Sequence, residues 1–276
     1  VKVRNDVFWY QVGQKMGTIM GFLYDGFYKV EDFTYDPVSR EYTLKPGIVD
    51  CSAIVEKVQP GAPKYRKVTD DPNDPNRYVL TEDDRTIIGE TTPKFSGGFG
   101  VNATWKGFDL SAFFNFMCGF DVLNLNKLAM SVHNSSNSVY HNFTGEFANA
   151  FRRYDNMGND MWYTPEVLAA FNKDATIFNP SQESTSNTKV STYCVEDGSF
   201  MRLNNLTIGY TLPKKWLKAI GMTKCRVYAT GYNLFTITNY SGYDPEVNIG
   251  EGTSPNQDYN MYPRSRSYTF GVQLSF

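Results

Sequence analysis

Few residues in this chain have the type and spacing for chemistry. In YDPEV, Asp244 and Glu246 are carboxylates at alternate positions of an extended segment, and a carboxylate pair is what glycoside hydrolysis divides into acid and base or nucleophile. Sequence gives no separation between them, and we read the pair as part of an external loop lying against a neighbour. The run TDDPNDPNRYVLTEDDR offers oxygen ligands of the kind calcium takes: Asp71, Asn73 and Asp74, then Asp83 and Asp84. The glycine of a sharp calcium loop is missing and Pro72 and Pro75 intrude, so the run reads as a solvated acidic turn, and no metal or other cofactor is expected. His133 and His141, in the polar SVHNSSNSVYHN, have no Ser/Asp or Cys partner for nucleophilic catalysis and read as surface residues. Cys51, Cys118, Cys194 and Cys225 form no zinc or redox motif. Tyr154, Trp162 and Tyr163 could stack on sugar rings, although packing within their own loop is the plainer role. No catalytic constellation is readable and the chain is not expected to be an enzyme; a secreted β-rich glycan-active enzyme is the rival reading.

The elements that would hold these residues are strands. Aromatic residues make up 16% of the 276 and glycine numbers 22, a mixture that suits sheets better than helical bundles. No run approaches the roughly 18 apolar residues of a membrane-spanning helix. A net charge of −2 leaves no electrostatic footprint for nucleic acid. The chain opens without an initiator Met or a signal peptide and reads as a piece of something longer. Alternation is strict in GGFGVNATWK (Phe99, Val101, Ala103, Trp105) and, after Lys106-Gly107, in FDLSAFFNFMC (Phe108, Leu110, Ala112, Phe114, Phe116, Cys118). A two-residue turn there sets Trp105 opposite Phe108, on one face. RLNNLTIGYTL alternates through Leu206, Ile208, Tyr210 and Leu212. CRVYATGYNLF alternates through Cys225, Val227, Ala229, Gly231 and Phe235, broken at Asn233. The last run carries Tyr268, Phe270, Val272, Leu274 and Phe276. These spacings predict strands over about 97–106, 108–118, 200–212, 225–236 and 267–276. Each is near the roughly 9–11 residues of a tilted strand crossing a bilayer.

A soluble sandwich also alternates. The links decide otherwise: 106–107 and 213–224 are short, whereas 1–94, 119–198 and 239–266 are long. Structureless links that long are uncommon in compact soluble domains, but short periplasmic turns and long extracellular loops are the rule in outer-membrane barrels. The expected fold is therefore all-β, an antiparallel transmembrane β-barrel with long extracellular loops, in the outer membrane of a Gram-negative bacterium and crossing it many times. Five strands cannot enclose a lumen, so the rest of the barrel must come from upstream sequence or a second chain. Cys118 and Cys225 are expected to face lipid. Cys51 and Cys194 fall in external loops, where an oxidising envelope would allow a disulfide. TPEVLAAFNKD reads as a short helix with Thr164 as N-cap and Pro165 in its first turn. A non-transporting outer-membrane adhesin or structural barrel would share all of this.

SFMRLNNLTIGYTLPKKWL, CRVYATGYNLFTITNYSGYDPEV and YPRSRSYTFGVQLSF closely resemble the end of the SusC/RagA family of TonB-dependent outer-membrane transporters of the Bacteroidetes. GQKMGTIMGFLYDGFY and DDRTIIGETTPKFSGGFGVNATWKGFDLSAFF resemble preceding segments in the same order, with 120–190 the least similar part. The resemblance implies the C-terminal part of a 22-stranded barrel around an N-terminal plug, with an SusD-like lipoprotein as the lid. Oligosaccharides or peptides would be the cargo, and TonB would pull on the plug. It implies that Phe276 is the terminal aromatic read by the insertion machinery. It places Asp71 to Asp84 where many relatives carry a DxNGDG-type loop, and it makes Tyr154, Trp162, Tyr163, Asp244 and Glu246 candidates for contact with cargo or lid. Plug, earlier strands and TonB-contacting segment are outside this sequence.

Overall fold

Lys106 and Gly107 reverse the chain in two residues. Both adopt positive φ, 47° and 90°, as the tight turn of a right-twisted hairpin requires, and a side chain at Gly107 would meet the Thr211 carbonyl oxygen at 2.9 Å. The computed structural model describes residues 2–4, 7–69, 74–131, 143–180, 189–218, 221–246 and 255–276. The turn joins β1 (Phe95–Trp105) to β2 (Phe108–Cys118), and β3 (Phe200–Thr211), β4 (Lys224–Thr238) and β5 (Ser267–Ser275) follow. All neighbours are antiparallel and the strands lie in chain order, with β1 and β5 outermost. Among the described residues neither outer strand has a further partner in this sheet.

Directly opposed residues share a face, so the register sorts the side chains. One rung runs Trp105, Phe108, Tyr210, Val227, Val272; the next runs Ala103, Leu110, Ile208, Ala229, Phe270. Further along come Phe99, Phe114, Leu203 and Phe235. This face is apolar across all five strands and stays open, with Trp105 68% and Phe270 81% exposed. Cys118 and Cys225 lie on it, opposite Phe95 and Leu274. The other face runs Asn102, Ser111, Thr207, Thr230, Thr269. There the Thr207 and Thr230 hydroxyls meet at 2.8 Å, and Arg226 on β4 reaches across Gly209 on β3 to Asp109 on β2, with its Nε donating at 2.9 Å. A side chain at Gly209 would collide with both partners of that ion pair.

Strict alternation fails at one level of the sheet. Phe113 and Phe114 are adjacent on β2, but their partners on β3 are Asn205 and Leu203, and the partners of those on β4 are Tyr232 and Phe235. β2, β3 and β4 thus carry zero, one and two extra residues there, a β-bulge that widens strand by strand. Asn233 takes φ 51° inside it, a conformation asparagine tolerates, so the break in the apolar pattern is a bulge. Hence β4 runs on to Thr238, beyond the expected end at 236. Beyond the bulge, Leu203 joins the apolar face and Arg202 turns to the polar one.

The chain divides into two units, Thr91–Val122 with Glu196–Phe276, which holds this sheet, and Val1–Glu90 with Leu123–Val195. In the second unit the segments expected as loops, 1–94 and 119–198, carry short strands and the expected helix. Thr18–Gly21 pairs with Phe8–Gln11 and Thr86–Glu90, and Leu23–Phe27 pairs with Pro63–Arg66. Phe22, Tyr28, Ile54, Val55, Tyr65 and Leu80 form one buried cluster, and Val30, Phe151, Met161 and Leu168 another. Burial of these side chains contributes roughly 1.5–3 kcal/mol each against the ordering cost of the segments. The expected helix spans Pro165–Phe171 and seats Leu168 in the core, but Thr164 makes no side-chain cap hydrogen bond.

Candidate functional site

In the unit that carries the sheet, the bulge delivers Arg202 to the polar face, where it is 2% exposed. Its Nη2 donates to Asp244 Oδ1 and lies 3.8 Å from Glu246 Oε2. Arg264 Nη2 approaches Glu246 Oε1 at 3.0 Å, and the Glu246 backbone N–H donates to Asp244 Oδ1 at 2.9 Å. The two carboxylates of YDPEV are therefore interleaved with two guanidinium groups. Burial pushes the Asp244 carboxyl up, but the Arg202 hydrogen bond, the Glu246 N–H and the Arg202 charge outweigh it and hold the carboxyl below its usual range. A general acid of glycoside hydrolysis needs the opposite shift. The cluster pins the connection after β4, which is tied again where Tyr240 donates to Asp258 at 2.6 Å and Ser241 Oγ to Glu196 at 2.9 Å. Tyr243 and Tyr262, 83% and 89% exposed, stand beside the pinned segment as open aromatic surface. Sequence reasoning missed Arg202. Its signal was there: uninterrupted alternation from Leu206 would set an arginine on the apolar face.

In the other unit, the structure joins two of the three aromatic candidates. The Arg153 guanidinium lies 5.4 Å from the Tyr154 ring and 5.1 Å from that of Trp162, and its fork grips Asp160 at 3.0 and 2.7 Å. Trp162 is half-buried against Tyr42, ring centroids 4.9 Å apart, and its carbonyl accepts from the Tyr42 hydroxyl at 2.8 Å. Tyr154 and Tyr163 stay open, 51% and 47% exposed, with Arg40 stacked 5.3 Å from the Tyr163 ring. Trp162 thus packs, while Tyr154 and Tyr163 present rings outward.

Of the calcium candidates, Asp71 and Asn73 lie outside the described residues, as do His133 and His141. Asp74 closes a turn by accepting from the Asn76 N–H at 2.8 Å, and Asp83 is exposed. Asp84 is fully buried with its carboxylate already engaged, accepting from Lys67, from the Val68, Thr69 and Thr81 N–H groups and from the Thr69 hydroxyl. Among the described residues no three His, Cys, Asp or Glu side chains converge to hold a metal. Burial opposes the charge of Asp84, yet these hydrogen bonds lower its pKa from 3.8 to about 2. A carboxylate depressed on folding stabilises above its unfolded pKa and loses that contribution as pH falls through the folded one. This interval, about pH 4 to 2, holds on the order of 2 kcal/mol. Amide protection at Thr69 and Thr81, corrected for intrinsic exchange, is expected to collapse across it, and in Asp84→Asn to be low already at neutral pH.

Cys51 and Cys194 form no disulfide with one another: they are buried in separate clusters, each thiol against a backbone carbonyl, of Tyr65 and Ser191 respectively. Phe276 follows β5 with its side chain 81% exposed.

No protein-family profile matches the chain. Among curated proteins it is similar to TonB-dependent receptor P3 of Formosa agariphila, 30% identical over 209 residues, covering 74% of this chain and 18% of the receptor. TonB-dependent receptor P26 of the same organism is 29% identical over 233 residues, 83% of this chain and 21% of the receptor. TonB-dependent receptor SusC of Bacteroides thetaiotaomicron is 38% identical over 91 residues, 32% of this chain and 8% of the receptor. The fold matches that of the RagAB peptide importer in its closed-closed state with a TM-score of 0.62 at 23% identity, over 100% of this chain and 25% of that one. Its open-open state gives 0.59 at 22%, over 99% and 24%. The chain spans about a fifth of the length of P3 and P26.

Proposed function

The chain is of the SusC/RagA type of TonB-dependent receptor, and from that premise we propose that its five strands are wall strands from the C-terminal part of a 22-stranded outer-membrane barrel that imports nutrients. The observation that carries this reading is the apolar face continuous through all five strands, backed by a polar face. In a soluble sheet the apolar face would be packed on a core; here it is open, with Trp105 68% and Phe270 81% exposed, as a wall facing lipid requires. The apolar face meets outer-membrane lipid. Lys106-Gly107 and 213–224 are periplasmic turns, and the segments 1–94, 119–198 and 239–266 are extracellular. The missing strands come from the same polypeptide or a second chain, and TonB acts through a part outside this sequence. An SusD-like lipoprotein closes the mouth, and oligosaccharides or peptides pass. Tyr154 and Tyr163 face cargo or lid, Trp162 supports them, and Asp244 and Glu246 hold the last loop in position rather than react.

Single cysteines placed in a full-length protein lacking its native thiols test the wall. Cysteines at Leu110, Ile208 and Phe270 are expected to resist a membrane-impermeant thiol reagent, while those at Ser111, Thr207 and Thr269 label from the lumen. Equal labelling of the two sets would refute the assignment of faces.

A further inference from the structure

The apolar face is not uniform. Near the Lys106-Gly107 turn it carries a groove of about 380 Å³, lined by Phe108, Ile208, Tyr210, Val227, Ala229 and Phe270 among others. The groove exists because Ala229 is the small residue in a rung whose neighbours are Ile208 and Phe270, and Phe108 and Tyr210, ring centroids 4.5 Å apart, close its turn end. Lys106 adjoins that end. Its ammonium lies 4.8 Å from the ring of Trp105, which belongs to the apolar face. The second short connection, from Leu212 to Lys224, adds Lys214, Lys215, Lys218 and Lys224 and contains no Asp or Glu. All these lysines are exposed, as is Trp216, at 62%. The other end of the sheet carries the charge-balanced cluster of Asp244 and Glu246 with Arg202 and Arg264 instead.

An apolar furrow beneath a row of cations and amphipathic indoles is complementary to one kind of molecule, a lipid with acyl chain below and negative charge above. Resting on the barrel reading above, we propose that this groove seats an acyl chain of an anionic phospholipid of the periplasmic leaflet, with the phosphate met by Lys106 and the lysines of 214–218. Aliphatic stems of the lysines lie along the apolar rim while their ammonium groups reach the headgroup. The two indoles, Trp105 and Trp216, stand at the two short connections at this end of the sheet.

The test uses the full-length protein in nanodiscs of phosphatidylcholine doped with phosphatidylglycerol, followed by native mass spectrometry of the retained lipid. Wild type is expected to retain phosphatidylglycerol preferentially. Changing Lys106, Lys214, Lys215 and Lys218 to Gln removes that preference, by roughly fivefold per lysine in direct contact. Ala229→Leu fills the groove and lowers retention of either lipid while leaving the lysines in place. Both variants keep the heat-modifiable gel mobility of an inserted barrel. Unchanged retention in both variants overturns the site. So does preferential retention of lipopolysaccharide, which would put the turns in the other leaflet, or a shift of Ala229→Leu from dimer to monomer without loss of lipid, which would assign the groove to a second copy. A wild type without heat-modifiable mobility would instead refute the barrel and, with it, the site.

Discussion

Deletion of Tyr268 to Phe276 from the full-length protein is expected to abolish membrane insertion, with complete loss of the heat-modifiable band on gels. β5 pairs with β4 from Lys224 opposite Ser275 to Tyr232 opposite Ser267. Without it the outer edge of β4 presents a row of free N–H and C=O groups. In hydrocarbon each such group costs several kcal/mol, so a few of them exceed the entire stability of an ordinary domain. The side chains make the same demand, since the residues β5 brings to the apolar face are open on the sheet and suited to lipid. On the proposed function, Phe276→Ser has a smaller effect and a different one. Its ring lies beyond the last rung, so the change slows assembly and leaves cargo affinity intact in the molecules that insert. Recovery of a soluble, cargo-binding protein from the deletion would refute the barrel.

Asp244→Ala is expected to cost about 3–5 kcal/mol, the range for removing one partner of a buried ion pair. Arg202, 2% exposed, would keep Glu246 at 3.8 Å as its nearest carboxylate and could not turn to water. Arg202→Met alone costs less, because the Glu246 N–H still serves Asp244. The double variant Arg202→Met, Asp244→Leu recovers much of the loss, since apolar replacements of a buried pair are often neutral. Denaturant midpoints of the full-length protein in detergent measure all three. Additivity of the single changes within a few tenths of a kcal/mol would show that the pair does not hold the loop.

How far the sequence could be read depended on how far apart the interacting residues lie along it. β1 and β2 were legible almost to the residue, because alternation is local and Lys106-Gly107 marks its own turn. The last strand was legible for the same reason. The bulge is half legible: Asn233 announces a break on β4, and Arg202 falls on the wrong face under unbroken alternation from Leu206, but only pairing with β2 places the extra residue at Asn204. The segments 1–94 and 119–198 read as loops because their strands are short and their apolar residues follow no period. Their order comes from contacts such as the Tyr28 hydroxyl on the Val49 carbonyl and the Tyr65 hydroxyl accepting from the Lys189 N–H. Asp244 and Glu246 stand out by type and spacing, yet their chemistry is set by an arginine 42 residues away. Cys51 and Cys194 looked available to each other because burial is invisible in a spacing.

The bulge has a consequence for how this strand can vary in length. A residue gained or lost in a regular strand reverses the orientation of everything on one side of it. Asn204 is different: with it removed, Leu206, Asn205, Leu203 and Arg202 form an unbroken alternation, each on the face it already occupies. Losing a neighbour such as Thr207 would instead set Leu206 opposite Ser111 and Asn205 opposite Ala112, each on the face opposite to its own. An alignment gap in β3 therefore belongs at Asn204, where the reading frame of inside and outside already skips one beat.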